Sequence, residues 1–258
     1  MIRKKRDKYA LYNKGVIGKL IYRKFPYDTL RFLSEIGMAK SLRIVDVGCG
    51  TGSLLYELRE IGFKNTLGID PYLKEDIKYK NGLEILKKTI HDLGGKRDLV
   101  MFHHSFEHVP DPVETIQSAS NVLTEQGVIL MRIPIVSSYA WKHYGINWVQ
   151  LDAPRHFFLH SIKSINTLAA KANLRIKKII YDSTDFQFWG SEQYTKDIPL
   201  KSNRSYAIDP SNSIFSDAEI KEFKQKAKEL NLKNWGDQAV IYLKNNHADD
   251  PLFGQGHD

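Results

Sequence analysis

Ile44-Val45-Asp46-Val47 runs directly into Gly48-Cys49-Gly50-Thr51-Gly52, and Ser53-Leu54-Leu55-Tyr56-Glu57-Leu58 follows with helical spacing. A β-branched run, three glycines at alternate positions and a helix start form a buried strand, a tight turn and a helix N-terminus. This is the arrangement by which α/β folds hold a nucleotide. The glycines allow backbone N–H groups to approach a ligand where a Cβ would collide with it. The pattern is Gly-x-Gly-x-Gly, with Ser53 where a dinucleotide fingerprint has its third glycine.

With 258 residues, the chain has enough length for one large α/β domain with appendages and no covalent staples. Cys49 is the single cysteine, which excludes an intrachain disulfide and fits a reducing, cytoplasmic setting. No apolar run reaches the roughly 18–20 residues that a membrane span needs, and no signal peptide is expected. The net charge of +8 is concentrated at one end. Residues 1–24 hold nine basic side chains against Asp7, while the remainder holds 29 of each sign. This basic arm, interleaved with Tyr9, Tyr12 and Tyr22, is either a solvated terminal segment or a surface for an anionic partner. The candidate partners are a phosphorylated substrate, a lipid surface or RNA.

Periodicity then predicts a short helix within Tyr27–Met38, strand Leu42–Val47, a helix from Ser53 to Gly62 and a strand Thr66–Asp70 ended by Pro71. A third strand is expected near Glu84–Ile90, a fourth over Asp98–His103 and a fifth over Val128–Ile133. Asp111-Pro112-Val113-Glu114 joins an N-cap acid to a first-turn proline, and the helix it opens is expected to end at Gly127. Beyond lie a helix Ser161–Asn173, strands Arg175–Tyr181 and Gln238–Leu243, and a capped helix from Ser216 to about Leu232. Residues 134–160 and 182–215 are aromatic-rich with little periodicity, which reads as a lid or acceptor pocket rather than core. Strands alternating with helices predict a doubly wound parallel sheet whose ligand sits at the carboxyl ends of the strands. The glycine turn, Asp70, Asp92 and the run His103–His108 all fall at those ends.

The heptapeptide Asp46-Val47-Gly48-Cys49-Gly50-Thr51-Gly52 resembles motif I of class I S-adenosylmethionine-dependent methyltransferases. Ser105-Phe106-Glu107-His108-Val109-Pro110-Asp111-Pro112 is similar to the strand-four segment of the small-molecule and sugar-modifying members. Asp152-Ala153-Pro154-Arg155-His156-Phe157 resembles a segment of the branch linked to glycan modification. The resemblance covers residues 42–181 and the last strand. It implies an α/β, Rossmann-like, mostly parallel seven-stranded sheet with an antiparallel C-terminal hairpin. Residues 1–40 then form the basic arm and a helix, 41–244 the catalytic domain, and 245–258 a flexible tail. The implied cofactor is S-adenosyl-L-methionine, held by Asp46, Gly48, Cys49, Gly50, Gly52, Asp70, Pro71, Asp92, His104 and Ser105. Asp70 stands 18 positions after Gly52, where a carboxylate can accept both ribose hydroxyls, and Asp92 is the expected adenine contact.

The expected activity is methyl transfer to a hydroxyl of a sugar, glycan precursor or other small molecule. Glu107, His108 and His156 are the catalytic candidates, with the two histidines facing the transferring methyl from two sides and Asp152 able to orient His156. Related ubiquinone-pathway and small-RNA enzymes hold a divalent cation with a Glu-x-x-Glu-His run. Here His104 replaces the first Glu and Pro112 stands at the later His position, so no metal ligands are assigned. Two alternatives stay open: an RNA methyltransferase served by the basic arm, and an inactive adapter that keeps the fold.

Overall fold

The computed structural model describes residues 2–248. Its centre is one eight-stranded sheet built from β1 (Ile44–Val47), β2 (Thr66–Ile69), β3 (Ile77–Lys78), β4 (Glu84–Leu86), β5 (Arg97–His103), β6 (Leu123–Pro134), β7 (Leu174–Tyr181) and β8 (Gln238–Asn245). The order is β3-β4-β2-β1-β5-β6-β8-β7. Strands β4, β2, β1, β5 and β6 run parallel, while β8 is antiparallel to both β6 and β7. The chain winds from β1 to β2 on one side and to β5 on the other, so the order reverses at β1. In such sheets the crevice at that reversal takes the ligand.

Both faces of the sheet are covered, which is why its strands read as near-continuous apolar runs. Val45, Val47, Val100 and Phe102 point to one face, with α5 (Pro112–Val122) and α7 (Ile162–Lys171) packed on it through Ile116, Ala119, Ile165 and Ala169. Ile44, Leu99 and Met101 point to the other face. There α1 (Ile2–Tyr12), α3 (Asp28–Ser34) and α4 (Ser53–Glu60) contribute Ala10, Leu11, Leu30, Leu33, Leu55 and Leu58. A smaller cluster joins α8 (Phe186–Tyr194) to α9 (Asp217–Leu232) through Phe188, Ala227 and Leu230. No helix among the described residues is long and apolar enough to cross a membrane.

Several expectations need correction. The sheet has eight strands rather than seven, because Ile77–Lys78 pairs antiparallel with Glu84–Ile85 at its edge. The third strand stops at Leu86, and Ile90–Asp92 is a 3-10 turn instead. The helix opened by Asp111 ends at Val122 rather than Gly127, since Leu123 already pairs with Arg97. Asp111 does cap it, accepting from the N–H groups of Val113 and Glu114 at 2.9 Å each. The basic arm is a hairpin of α1 and α2 (Val16–Lys24), and α1 puts Ala10 and Leu11 into the core. The aromatic segments are also structured, as α6 (Tyr139–Tyr144) and α8. Of the expected tail, 245–248 are ordered, with Ala248 buried; 249–258 lie outside the described residues.

Candidate functional site

The glycine turn forms one wall of the site. Gly48, Gly50 and Gly52 all have φ between 56° and 76°, the left-handed region that side chains rarely adopt. A Cβ on Gly48 would fall 2.5 Å from that of Ser105, whose hydroxyl donates to the Val47 carbonyl at 2.6 Å. The end of β5 is thereby stitched to the end of β1. Asp70, buried at the end of β2, is fixed from two directions. One oxygen accepts from the Gly50 N–H at 2.8 Å and the other from the Tyr72 N–H at 2.9 Å. Each oxygen keeps accepting capacity, because a carboxylate offers about four lone-pair sites.

Asp46 lies below this turn, fully buried, with one carboxylate oxygen lacking a partner. Burial first, then the neighbouring Asp70, pushes its pKa up to about 8. Burial also pushes the Cys49 thiol up, so it is not a thiolate at neutral pH.

The opposite wall comes from the turn after β5 and from residues 152–158. Both elements meet because the Glu107 carbonyl accepts from the N–H groups of Phe157 and Phe158, at 2.9 and 3.3 Å. Further along, Ile135 bridges to His160 and Val136 donates to its carbonyl. These bonds fold the aromatic segment over the rim of the sheet.

Glu107 is buried, and neither carboxylate oxygen has a hydrogen-bond partner, although His104 Nδ1 approaches to 3.5 Å. The His108 and His156 rings lie 4.8 Å apart, centroid to centroid. Each has Nδ1 at 2.8 Å from a carbonyl, that of Arg155 for His108 and that of Gln150 for His156. A carbonyl only accepts, so Nδ1 carries the proton in both and each Nε2 presents a lone pair. Asp152 lies 3.7 Å from His156 Nε2 and makes its main bond to Arg155, at 2.6 Å. Burial lowers the pKa of His156, and it lowers that of nearby His160 to about 4.

Between the walls lies a cavity of about 550 Å³ with a predominantly apolar lining. Five of the expected residues face it: Gly48, Asp70, Pro71, His104 and Ser105, with His108 on the far side. Asp46, Cys49, Gly50 and Gly52 are not among the lining residues. Cys49 points back into the fold, where a side chain on Gly68 would meet its sulfur, and Gly52 packs against Ile85. Asp92 is outside that lining: its carboxylate accepts from the Thr89 N–H and hydroxyl through one oxygen, closing a capping box. Thr89, Ile90 and His91, just before it, line the cavity. His156 also stands behind the lining, on the same side as His108, so the two do not flank the cavity.

The sequence reading missed Tyr72, Thr89, His91, Thr115 and Arg155 as lining residues. Only Arg155 carried a signal, inside the motif it shares with His156. Residues 182–215 contribute nothing to the lining; their aromatic side chains stack on one another and on α9. One donor atom each from Glu107, His108 and His156 lies within 4.8 Å of the others, so the trio that was assigned no metal can hold either a cation or a proton.

A family model described as a methyltransferase domain matches residues 19–179. A curated tRNA U34 carboxymethyltransferase of Campylobacter fetus subsp. fetus (strain 82-40) is 21% identical over 154 residues. That match spans 55% of this chain and 55% of the relative, so the chain covers about half of that protein's length. Among solved structures, a putative sarcosine dimethylglycine methyltransferase from Galdieria sulphuraria superposes with a TM-score of 0.54 at 12% identity. The alignment covers 94% of this chain and 98% of that one. An O-methyltransferase from a trans-AT PKS multienzyme of Brevibacillus brevis, in complex with S-adenosyl-L-homocysteine, gives 0.52 at 16% identity over 93% and 79% of the two chains.

Proposed function

Because the chain belongs to the methyltransferase-domain family, we propose that it transfers the methyl group of S-adenosyl-L-methionine to a hydroxyl of a sugar, glycan precursor or other small molecule. One observation carries this reading: a single cavity has the glycine turn and Asp70 on one wall and His108 on the other. The residues fit the donor. The space beside Gly50 is open, and Asp70 offers free lone pairs for ribose hydroxyls. The unpartnered oxygen of Asp46 adds a buried acid that a cationic ligand would satisfy. When bound, the donor supplies an intrinsically activated methyl group.

The protein's own task is to hold the acceptor, exclude water and take a proton. His108 Nε2 would receive the hydroxyl proton as the acceptor oxygen takes the methyl group, the sulfur–methyl bond breaking to leave S-adenosyl-L-homocysteine. Its Nδ1–H would stay on the Arg155 carbonyl, and the buried Glu107 carboxylate nearby would stabilise the imidazolium that results. The second reading, RNA methylation, draws on the basic α1–α2 surface and on the tRNA-modifying relative. Incubation with methyl-labelled donor decides between them. Label should appear in a pool of nucleotide-sugars and other small hydroxyl compounds; label confined to RNA would overturn the proposal.

Donor binding should also be linked to Asp46. Its carboxyl is held protonated at neutral pH, and a positively charged donor favours the ionised form. Binding therefore releases protons, and affinity should rise from about pH 6 to about pH 8. Calorimetry in buffers of different ionisation enthalpy reads that release, which Asp46→Asn should abolish. A proton count of zero in the parent protein would contradict the linkage.

A further inference from the structure

The α1–α2 hairpin shows two kinds of exposed side chain on one surface. Gly18, buried, marks the inward side of α2, because a Cβ there would collide with the Lys5 carbonyl and Tyr9 of α1. Helical spacing places Val16, Ile17 and Leu20 on the other side. There they are 76%, 55% and 60% exposed, and Phe25, just past the helix, is 57% exposed. Lys19, Arg23 and Lys24 are exposed beside them, and Lys14 stands at the helix entrance. The hairpin's one acid, Asp7, is buried against Arg6. Hence this surface joins solvent-exposed aliphatic groups to cations with no acid among them.

Charge alone would suit any polyanion. RNA binding uses cations and stacking rings, and gains nothing from Val16, Ile17 and Leu20 in water. A helix that lies in a bilayer interface needs both: apolar side chains to enter the acyl boundary, and flanking Lys and Arg for anionic headgroups. We propose that α2 is an interfacial docking helix that seats the protein on anionic lipid bilayers. The inference stands independently of the methyl acceptor. Each basic residue near such a surface adds roughly a five-fold factor to partitioning, so the effect is large and salt-dependent.

The test is co-sedimentation of the full chain with vesicles of phosphatidylcholine alone or mixed with phosphatidylglycerol. Strong binding is expected to the mixed vesicles only. Ile17→Asp with Leu20→Asp should reduce it at least ten-fold, and Lys19→Glu with Arg23→Glu should do the same. An unchanged circular dichroism melt in each double variant shows that the fold is kept. Failure of the parent protein to bind mixed vesicles would overturn the proposal. So would binding untouched by the two aspartates. Salt-sensitive tRNA binding without vesicle binding would assign the surface to RNA, and concentration-dependent dimerisation lost in the aspartate variant, again without vesicle binding, to a second copy of the chain.

Discussion

Replacing His108 with alanine is expected to slow methyl transfer about 10²–10⁴-fold, with donor affinity unchanged. The imidazole lines the cavity, its tautomer is set by the Arg155 carbonyl, and buried Glu107 lies beside it. His156 stands behind that ring and outside the lining, so His156→Ala should cost less. Single-turnover rates with labelled donor measure both. Rates within a few-fold of the parent in His108→Ala would reject the base assignment. Equal losses in the two variants, with turnover abolished by a chelator and restored by a divalent ion, would show that the trio holds a cation instead.

Trp148→Ala should destabilise the fold by about 3–5 kcal/mol. This side chain, from the aromatic segment expected to form a pocket, is fully buried. Its indole N–H donates to Asp237 at 2.9 Å, and Gln150 shares the same oxygen at 3.2 Å. Asp237 is itself buried, and burial raises its pKa. Removing the indole would therefore open a cavity and weaken the satisfaction of a buried carboxyl at once. Trp148→Phe retains most of the volume and should cost about 1–3 kcal/mol, mainly through the lost hydrogen bond. Denaturant midpoints decide; a midpoint in Trp148→Ala equal to that of the parent would contradict this packing account.

The parts of the site legible in the sequence were those whose chemistry is local. A glycine with positive φ, an acid closing a strand and an Asp-Pro cap each act within a few residues, and Gly48, Asp70 and Asp111 stand where their spacing put them. Features set by distant partners were not legible. His156 resembles a cavity residue until the Glu107 carbonyl pins Phe157 and turns that segment, leaving His156 behind His108. The β3 strand has only two residues and pairs through its edge, too short for any period to show. The capping box that Asp92 closes with Thr89 depends on a 3-10 turn that no period announces. In α1 the signal was present but masked. Asp7, Ala10 and Leu11 are its buried residues at helical spacing, yet the surrounding lysines and arginines read as a solvated arm.

The donor site is the premise of the whole account, and Asp70 is its most direct probe. Titration calorimetry with S-adenosylmethionine should show one site per chain in the parent protein. In Asp70→Ala the affinity should fall by about 1.5–3 kcal/mol, the worth of hydrogen bonds to a charged acceptor. Undiminished donor affinity in that variant, or no donor binding by the parent, would contradict the site built here.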